Sequence, residues 1–224
     1  MKNKKLVICG LGETARLAYQ YFKHDSSYEV VAFAVNKAYL KSSTFLDLPV
    51  VALEEIHDHY DPENNEVFVA LGSGHLNRDR QKVYEYVKSQ NYKCANYIST
   101  KAFVWHDVEV GDNCFILENN VLQSGVKIGN NVVLWSGNHI GHLSTISDNC
   151  FISSHVVISG NTLIGKNCFI GVNSSIADNV QIADDNYIGL ASVVNKNTEE
   201  NSVYTGNPAV KSAVSAKRLS KVKD

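Results

Sequence analysis

Val126-Lys127-Ile128-Gly129-Asn130-Asn131, Val132-Val133-Leu134-Trp135-Ser136-Gly137, Asn138-His139-Ile140-Gly141-His142-Leu143, Ser144-Thr145-Ile146-Ser147-Asp148-Asn149 and Cys150-Phe151-Ile152-Ser153-Ser154-His155 are successive blocks of six residues, each with an aliphatic residue in third place. The register runs outward in both directions: every sixth residue from Ile98 to Val194 is aliphatic, with no insertion. A period of six fits neither a helix nor a simple strand, so it marks an internal repeat. Glycine follows the aliphatic residue at Gly111, Gly129, Gly141, Gly165, Gly171 and Gly189, and a small residue stands four after it at Cys114, Val132, Ser144, Cys150, Thr162 and Cys168. This is the hexapeptide signature of a parallel β-helix.

The pattern resembles the left-handed β-helix of hexapeptide acyltransferases, in which three hexapeptides make one triangular coil of eighteen residues. Residues eighteen apart then stack at the strand spacing of about 4.8 Å. Cys114, Val132, Cys150 and Cys168 form one column, and Asn113, Asn131, Asn149 and Asn167 another, at the turns. Asparagine tolerates the left-handed backbone of a sharp corner, and its amide can bond the next amide of the column. Left-handed parallel crossovers break the usual rule, so the handedness is implied by the resemblance and not by the spacing.

A chain of 224 residues, 44% hydrophobic and with a net charge of −2, is an ordinary globular protein, with no strong attraction to nucleic acid or anionic membrane. The apolar run Leu6 to Gly12 is too short for a secretory leader, and no span approaches transmembrane length. Cytoplasmic location is expected, with the five cysteines as reduced core thiols.

Lys4 to Cys9 reads as a strand, followed by Gly10-Leu11-Gly12-Glu13-Thr14-Ala15 and a helix to about Lys23. This matches G-x-G-x-x-G/A between strand and helix, where backbone N–H groups and a helix N-terminus approach phosphate; ordinary tight turns are the alternative for these glycines. A second strand, Glu29 to Val35, ends at Asn36, where a dinucleotide site would carry an acid for the ribose hydroxyls. Pro49 to Ala52 reads as a third strand, Leu53 to Tyr60 as a helix, Glu66 to Leu71 as a fourth strand and Leu76 to Ser89 as a helix. Residues 1–95 are thus expected to form an α/β, Rossmann-like domain with a parallel sheet, with Gly72 and Ser73 at the same carboxyl edge as the first glycine loop. Residues 96–224 are expected to form the all-β coil domain with a C-terminal cap. The lysine-rich tail after Ala209 reads as a frayed, solvated terminus, with a phosphate-binding role as the alternative.

For chemistry, His142 stands out among the coil histidines His106, His139, His142 and His155. Gly160 follows it by eighteen residues, so a side chain able to take a proton near neutral pH stands beside a bare backbone whose N–H could meet an oxyanion. A solvated surface histidine is the alternative reading.

Gly10-x-Gly12, Asn138-His139-Ile140-Gly141-His142, Ser154-His155-Val156-Val157-Ile158-Ser159-Gly160, Ile164-Gly165-Lys166-Asn167-Cys168-Phe169-Ile170-Gly171 and Gly206-Asn207-Pro208-Ala209 together resemble the bacterial sialic-acid O-acetyltransferase and nucleotide-amino-sugar N-acetyltransferase family. The resemblance implies transfer of an acetyl group from acetyl-CoA to the amine of a nucleotide-linked deoxyamino sugar, or to a sialic-acid hydroxyl, in a homotrimer without metal. It implies His142 as general base, with His139 and Asn138 as candidates to orient it because Leu143 stands where several members have a glutamate. It implies acetyl-CoA contacts at Phe151, Gly160 (by its N–H), Val172 and Leu190, and substrate contacts at Gly10, Leu11, Gly12, Glu13, Asn36, Lys37, Gly72 and Ser73. Two readings from other classes stay open. One is a zinc enzyme on His139, His142 and His155; the other is a catalytically idle sugar-nucleotide sensor.

Overall fold

The computed structural model describes residues 4–223. They divide into two compact units, one running to Gly72 and resuming over Arg80–Tyr97, the other comprising Ser73–Asp79 and the chain from Ile98 onward.

In the first unit, β1 (Lys4–Cys9) leads into α1 (Glu13–His24) and β2 (Tyr28–Val35); then come β3 (Thr44–Phe45), β4 (Leu48–Ala52), α2 (Ile56–His59), β5 (Asn65–Val69) and α3 (Arg78–Ser89). The sheet order is β3-β4-β2-β1-β5, parallel except for the β3–β4 hairpin. β1 ends in four consecutive buried residues, Leu6 to Cys9, because helices cover both faces of a parallel sheet. Alternate side chains go to opposite faces. Val7, Cys9, Ala32, Ala34, Val67 and Val69 form one core layer with Val87 and Tyr92. Elsewhere in the unit Phe22 packs edge-on against Phe68, with centroids 4.9 Å apart.

Several expected boundaries move. The helix expected from Leu76 starts at Arg78, because His75, Leu76 and Asn77 all have positive φ, which no right-handed helix contains. The helix expected over Leu53 to Tyr60 is a 3-10 turn, Leu53–Glu55, followed by the single turn α2. The last expected strand ends at Val69 instead of Leu71.

The second unit is a coil of two-residue parallel strands with an eighteen-residue register: His139 pairs with Val121 and Val157, Thr145 with Lys127 and Leu163, and Phe151 with Val133 and Phe169. Three sheets result, one per face of the coil. The inward aliphatic residues from Ile116 to Ile188 are buried and make one continuous core with Cys114, Cys150 and Cys168. All five cysteines are free thiols.

The corners carry the expected asparagines. Asn113, Asn131, Asn149 and Asn167 lie at φ of 54° to 62°; Asn113 Nδ2 donates to Asn131 Oδ1, and Asn131 Nδ2 to Asn149 Oδ1, both at 2.8 Å. Three more asparagines, Asn120, Asn138 and Asn186, occupy the inward small-residue position and are buried. Each donates its amide to carbonyls of the wall; Asn120 reaches Leu117 and Trp135 at 2.8 Å each. A polar group inside an apolar coil is tolerated because it is bonded.

The tail is largely exposed but ordered. Val210–Ser215 forms a strand antiparallel to Ser202–Thr205, and a helical turn, Ala216–Leu219, buries Ala216 with Leu76 and Val203. Two of its lysines pair with acids, Lys217 with the buried Asp185 and Lys211 with Glu199. Among the described residues no helix is long and apolar enough to cross a membrane.

Candidate active site

At the carboxyl edge of the first unit's sheet, Gly10 takes φ +124°, and a Cβ there would sit 2.8 Å from the Ala70 carbonyl oxygen. Only glycine allows that turn. Gly12 is the N-cap of α1 with no side-chain cap bond, and nothing within 4 Å would meet a Cβ on it. The first N–H groups of α1, from Glu13 on, thus open the helix with no side-chain cap at Gly12, the arrangement that attracts phosphate. Leu11 lies between the two glycines. Next in the sheet, β2 ends at Asn36, which starts a 3-10 turn over Lys37–Tyr39. Asn36 Nδ2 donates to Glu54 Oε1 at 3.3 Å, the Lys37 N–H donates to Glu54 Oε2 at 2.9 Å, and Lys37 Nζ pairs with Glu55 at 2.7 Å. Burial pushes the Glu54 carboxyl up, but bonds from its own backbone N–H, the Lys37 N–H and the Asn36 amide, with the Lys37 charge, outweigh that and hold it below the usual range. Gly72 presents its carbonyl to Arg80 Nη1 at 2.8 Å. Ser73, by contrast, is counted with the second unit, where its carbonyl accepts the Asn77 N–H.

On the coil, Gly141 follows the buried Ile140 and lets two turns close up, since a Cβ on it would lie 2.6 Å from the Gly160 nitrogen. His142 then projects at the exposed corner. Its N–H donates to Gln123 Oε1 at 2.9 Å and its carbonyl accepts the Asn161 N–H at 2.9 Å. The imidazole lies over the Gly160 α-carbon: a Cβ on Gly160 would fall 2.7 Å from Nε2 and 2.8 Å from Nδ1. No described side chain bonds the ring, so both nitrogens remain available for proton transfer.

The other expected members of this site differ in placement. His139 points outward, half-buried, on the face that leads into the His142 corner. Asn138 points inward, is 1% exposed, and has both ends engaged, Nδ2 with the Trp135 carbonyl and Oδ1 with the Val156 N–H; it braces the coil and does not reach a reacting group. His155 lies over Gly137, and His106 stacks beside Trp105 two coils before His142. Gly160 brings a second difference. Its N–H, expected to meet the acetyl carbonyl, donates to Asp178 Oδ1 at 2.8 Å. A corner carboxylate one coil on satisfies a buried donor that would otherwise be orphaned.

Val172 and Leu190 stand one above the other at another corner, where the Ala191 N–H bonds the Val172 carbonyl, and Leu190 is 71% exposed. Phe151 is separate from both: it is buried in an aromatic column on the third face, 5.6 Å from Phe169 in a stacked arrangement. Gln123 and Asp178 are the residues of this corner that sequence reading did not assign, although Asp178 lies eighteen residues beyond Gly160. Among the described residues no group of three or more His, Cys, Asp or Glu side chains converges on one point.

Residues 107–142 match the bacterial transferase hexapeptide family (six repeats). No curated protein matches the chain. Among solved structures, the chain is similar to PerB from Caulobacter crescentus in complex with CoA and GDP-perosamine (21% identity, TM-score 0.82, covering 93% of this chain and 97% of that one). It is also similar to the acetyltransferase domain of PglB from Neisseria gonorrhoeae FA1090 (21%, TM-score 0.84, 94% and 100%) and to WeeI from Acinetobacter baumannii AYE (18%, TM-score 0.65, 93% and 100%). The likeness covers both units and identifies the fold as a Rossmann-like parallel sheet followed by a left-handed parallel β-helix.

Proposed function

We propose that the protein is an acetyl-CoA-dependent N-acetyltransferase acting on the amino group of a nucleotide-linked deoxyamino sugar, with His142 as general base. The observation that carries this reading is the uncommitted imidazole of His142 held over the bare backbone of Gly160. An amine is protonated at neutral pH and releases one proton to solvent before it can attack. The neutral amine's second proton passes to the imidazole as the C–N bond forms at the thioester carbonyl. Collapse of the tetrahedral intermediate then breaks the C–S bond, and the imidazolium protonates the departing thiolate. The Gly160 N–H can serve the oxyanion only after it parts from Asp178.

The uncapped N-terminus of α1 and the open space at Gly12 favour a diphosphate-bearing acceptor over a free sugar acid,. In this reading Gly10, Leu11, Gly12, Glu13, Asn36, Lys37, Gly72 and Ser73 serve the nucleotide sugar in a domain of residues 1–95. Gly160, Val172 and Leu190 serve acetyl-CoA along the coils of residues 96–224. The exposed Leu143 and Leu190 suit a homotrimer whose subunits share the cofactor groove, and five buried thiols suit the cytoplasm. The relatives with CoA, and in PerB with GDP-perosamine, support the choice of ligands.

The test is release of CoA thiol with nucleotide-linked amino sugars against free sialic acid. Turnover with the former is expected; turnover with the free sugar acid alone would overturn the reading.

A further inference from the structure

A nucleotide laid across the edge of an open parallel sheet puts its phosphates at the helix after the first strand and its ribose over the end of the second, where an acid takes the ribose hydroxyls. Here the second strand ends in an amide, Asn36. The carboxylate arrives from another element. Glu54 follows β4, the neighbour of β2 in the sheet, and its two oxygens meet Asn36 Nδ2 and the Lys37 N–H. Along the carboxyl edge the order is therefore Glu54, Asn36, the Gly10–Glu13 loop and Gly72. Glu54 is exposed, and bonds from its own backbone N–H, Asn36 and the Lys37 N–H leave about one of the four acceptor sites of a carboxylate unused,. A ribose hydroxyl supplies one donor.

From this arrangement, and resting on the nucleotide-sugar reading above, we infer that Glu54 is the ribose-binding carboxylate of this chain, held by Asn36 and the Lys37 backbone, and that the substrate is a ribonucleotide sugar, not a deoxyribonucleotide one. Asn36 is then a positioning residue. It donates to the acid and leaves the hydroxyl to it, which explains why an amide stands where an acid is expected. The neighbouring Glu55 is taken up by Lys37 Nζ.

The experiment uses the full chain and calorimetric titration of ADP, GDP, CDP and UDP, followed by the 2′-deoxy counterpart of the tightest binder. Wild type should prefer the ribonucleotide by about 10- to 100-fold, the worth of one hydrogen bond to a charged acceptor. Glu54→Gln should lower that preference to within about twofold, with CoA affinity and melting temperature unchanged. The exchange Asn36→Asp with Glu54→Gln returns the carboxylate to the end of β2 and should restore the preference, which a variant damaged only in folding would not do. Equal affinity of wild type for the two sugars, or a preference that survives Glu54→Gln, would overturn the inference while leaving a nucleotide site intact. If none of the four diphosphates binds to protein that still binds CoA, the nucleotide-sugar reading falls and the inference with it.

Discussion

The imidazole of His142 occupies the space that a side chain on Gly160 would need: a Cβ built there lies 2.7 Å from Nε2. Gly160 has no positive φ, so alanine fits its backbone and the whole cost falls on the histidine. Gly160→Ala should leave the coil folded and displace the ring, lowering kcat about 10- to 100-fold, the usual effect of moving a catalytic group by about 1 Å. Measuring kcat beside the melting temperature checks this. Full activity in a folded Gly160→Ala protein would show that the contact has no part in the reaction.

Asp178 raises a separate question, because it holds the N–H of Gly160 at 2.8 Å. A carboxylate beside a developing oxyanion opposes it by several kcal/mol at most, after screening at this exposed corner. If the Gly160 N–H serves the oxyanion, Asp178→Asn should keep a weaker, neutral bond and raise kcat a few-fold. A loss of about tenfold or more would instead make Asp178 a contributor to catalysis.

The asparagine column can be tested for stability. Asn131 accepts from Asn113, donates to Asn149 and sits at φ 56°. Asn131→Ala removes both bonds and leaves a residue poorly suited to that backbone, for an expected loss of about 2–4 kcal/mol. Asn131→Gly loses the same bonds but not the backbone fit, so it should be the milder variant by about 1 kcal/mol. Denaturant unfolding followed by circular dichroism measures both. Equal losses would mean that the left-handed corner carries no cost.

The coil was legible in the sequence because its geometry is one-dimensional: a period of six, folded three to a turn, assigns every residue to a column. The corner asparagines, the inward thiols and the His142–Gly160 pair all followed from that arithmetic. What it missed was chemical. Asn120, Asn138 and Asn186 broke the expectation of a small residue facing inward, and only the structure shows wall carbonyls waiting for their amides.

The sheet domain was harder to read where local signals were unusual. The β3–β4 hairpin turns on Leu46 and Asp47, both with positive φ, a conformation that normally announces itself as Asn-Gly. The positive φ values of His75 to Asn77 likewise carry no glycine to mark them. Long-range pairings such as Glu54 with Asn36 have no sequence signature at all.

Whether His142 takes the proton from the attacking amine is read from kcat for thiol release by His142→Asn with saturating acetyl-CoA and amino-sugar nucleotide. No described side chain bonds the ring, so the substitution should leave folding and CoA affinity nearly unchanged. A fall of about 10² to 10⁴ in kcat is expected, the worth of a positioned base. Retention of more than about a third of the wild-type rate, far short of that worth, would contradict it.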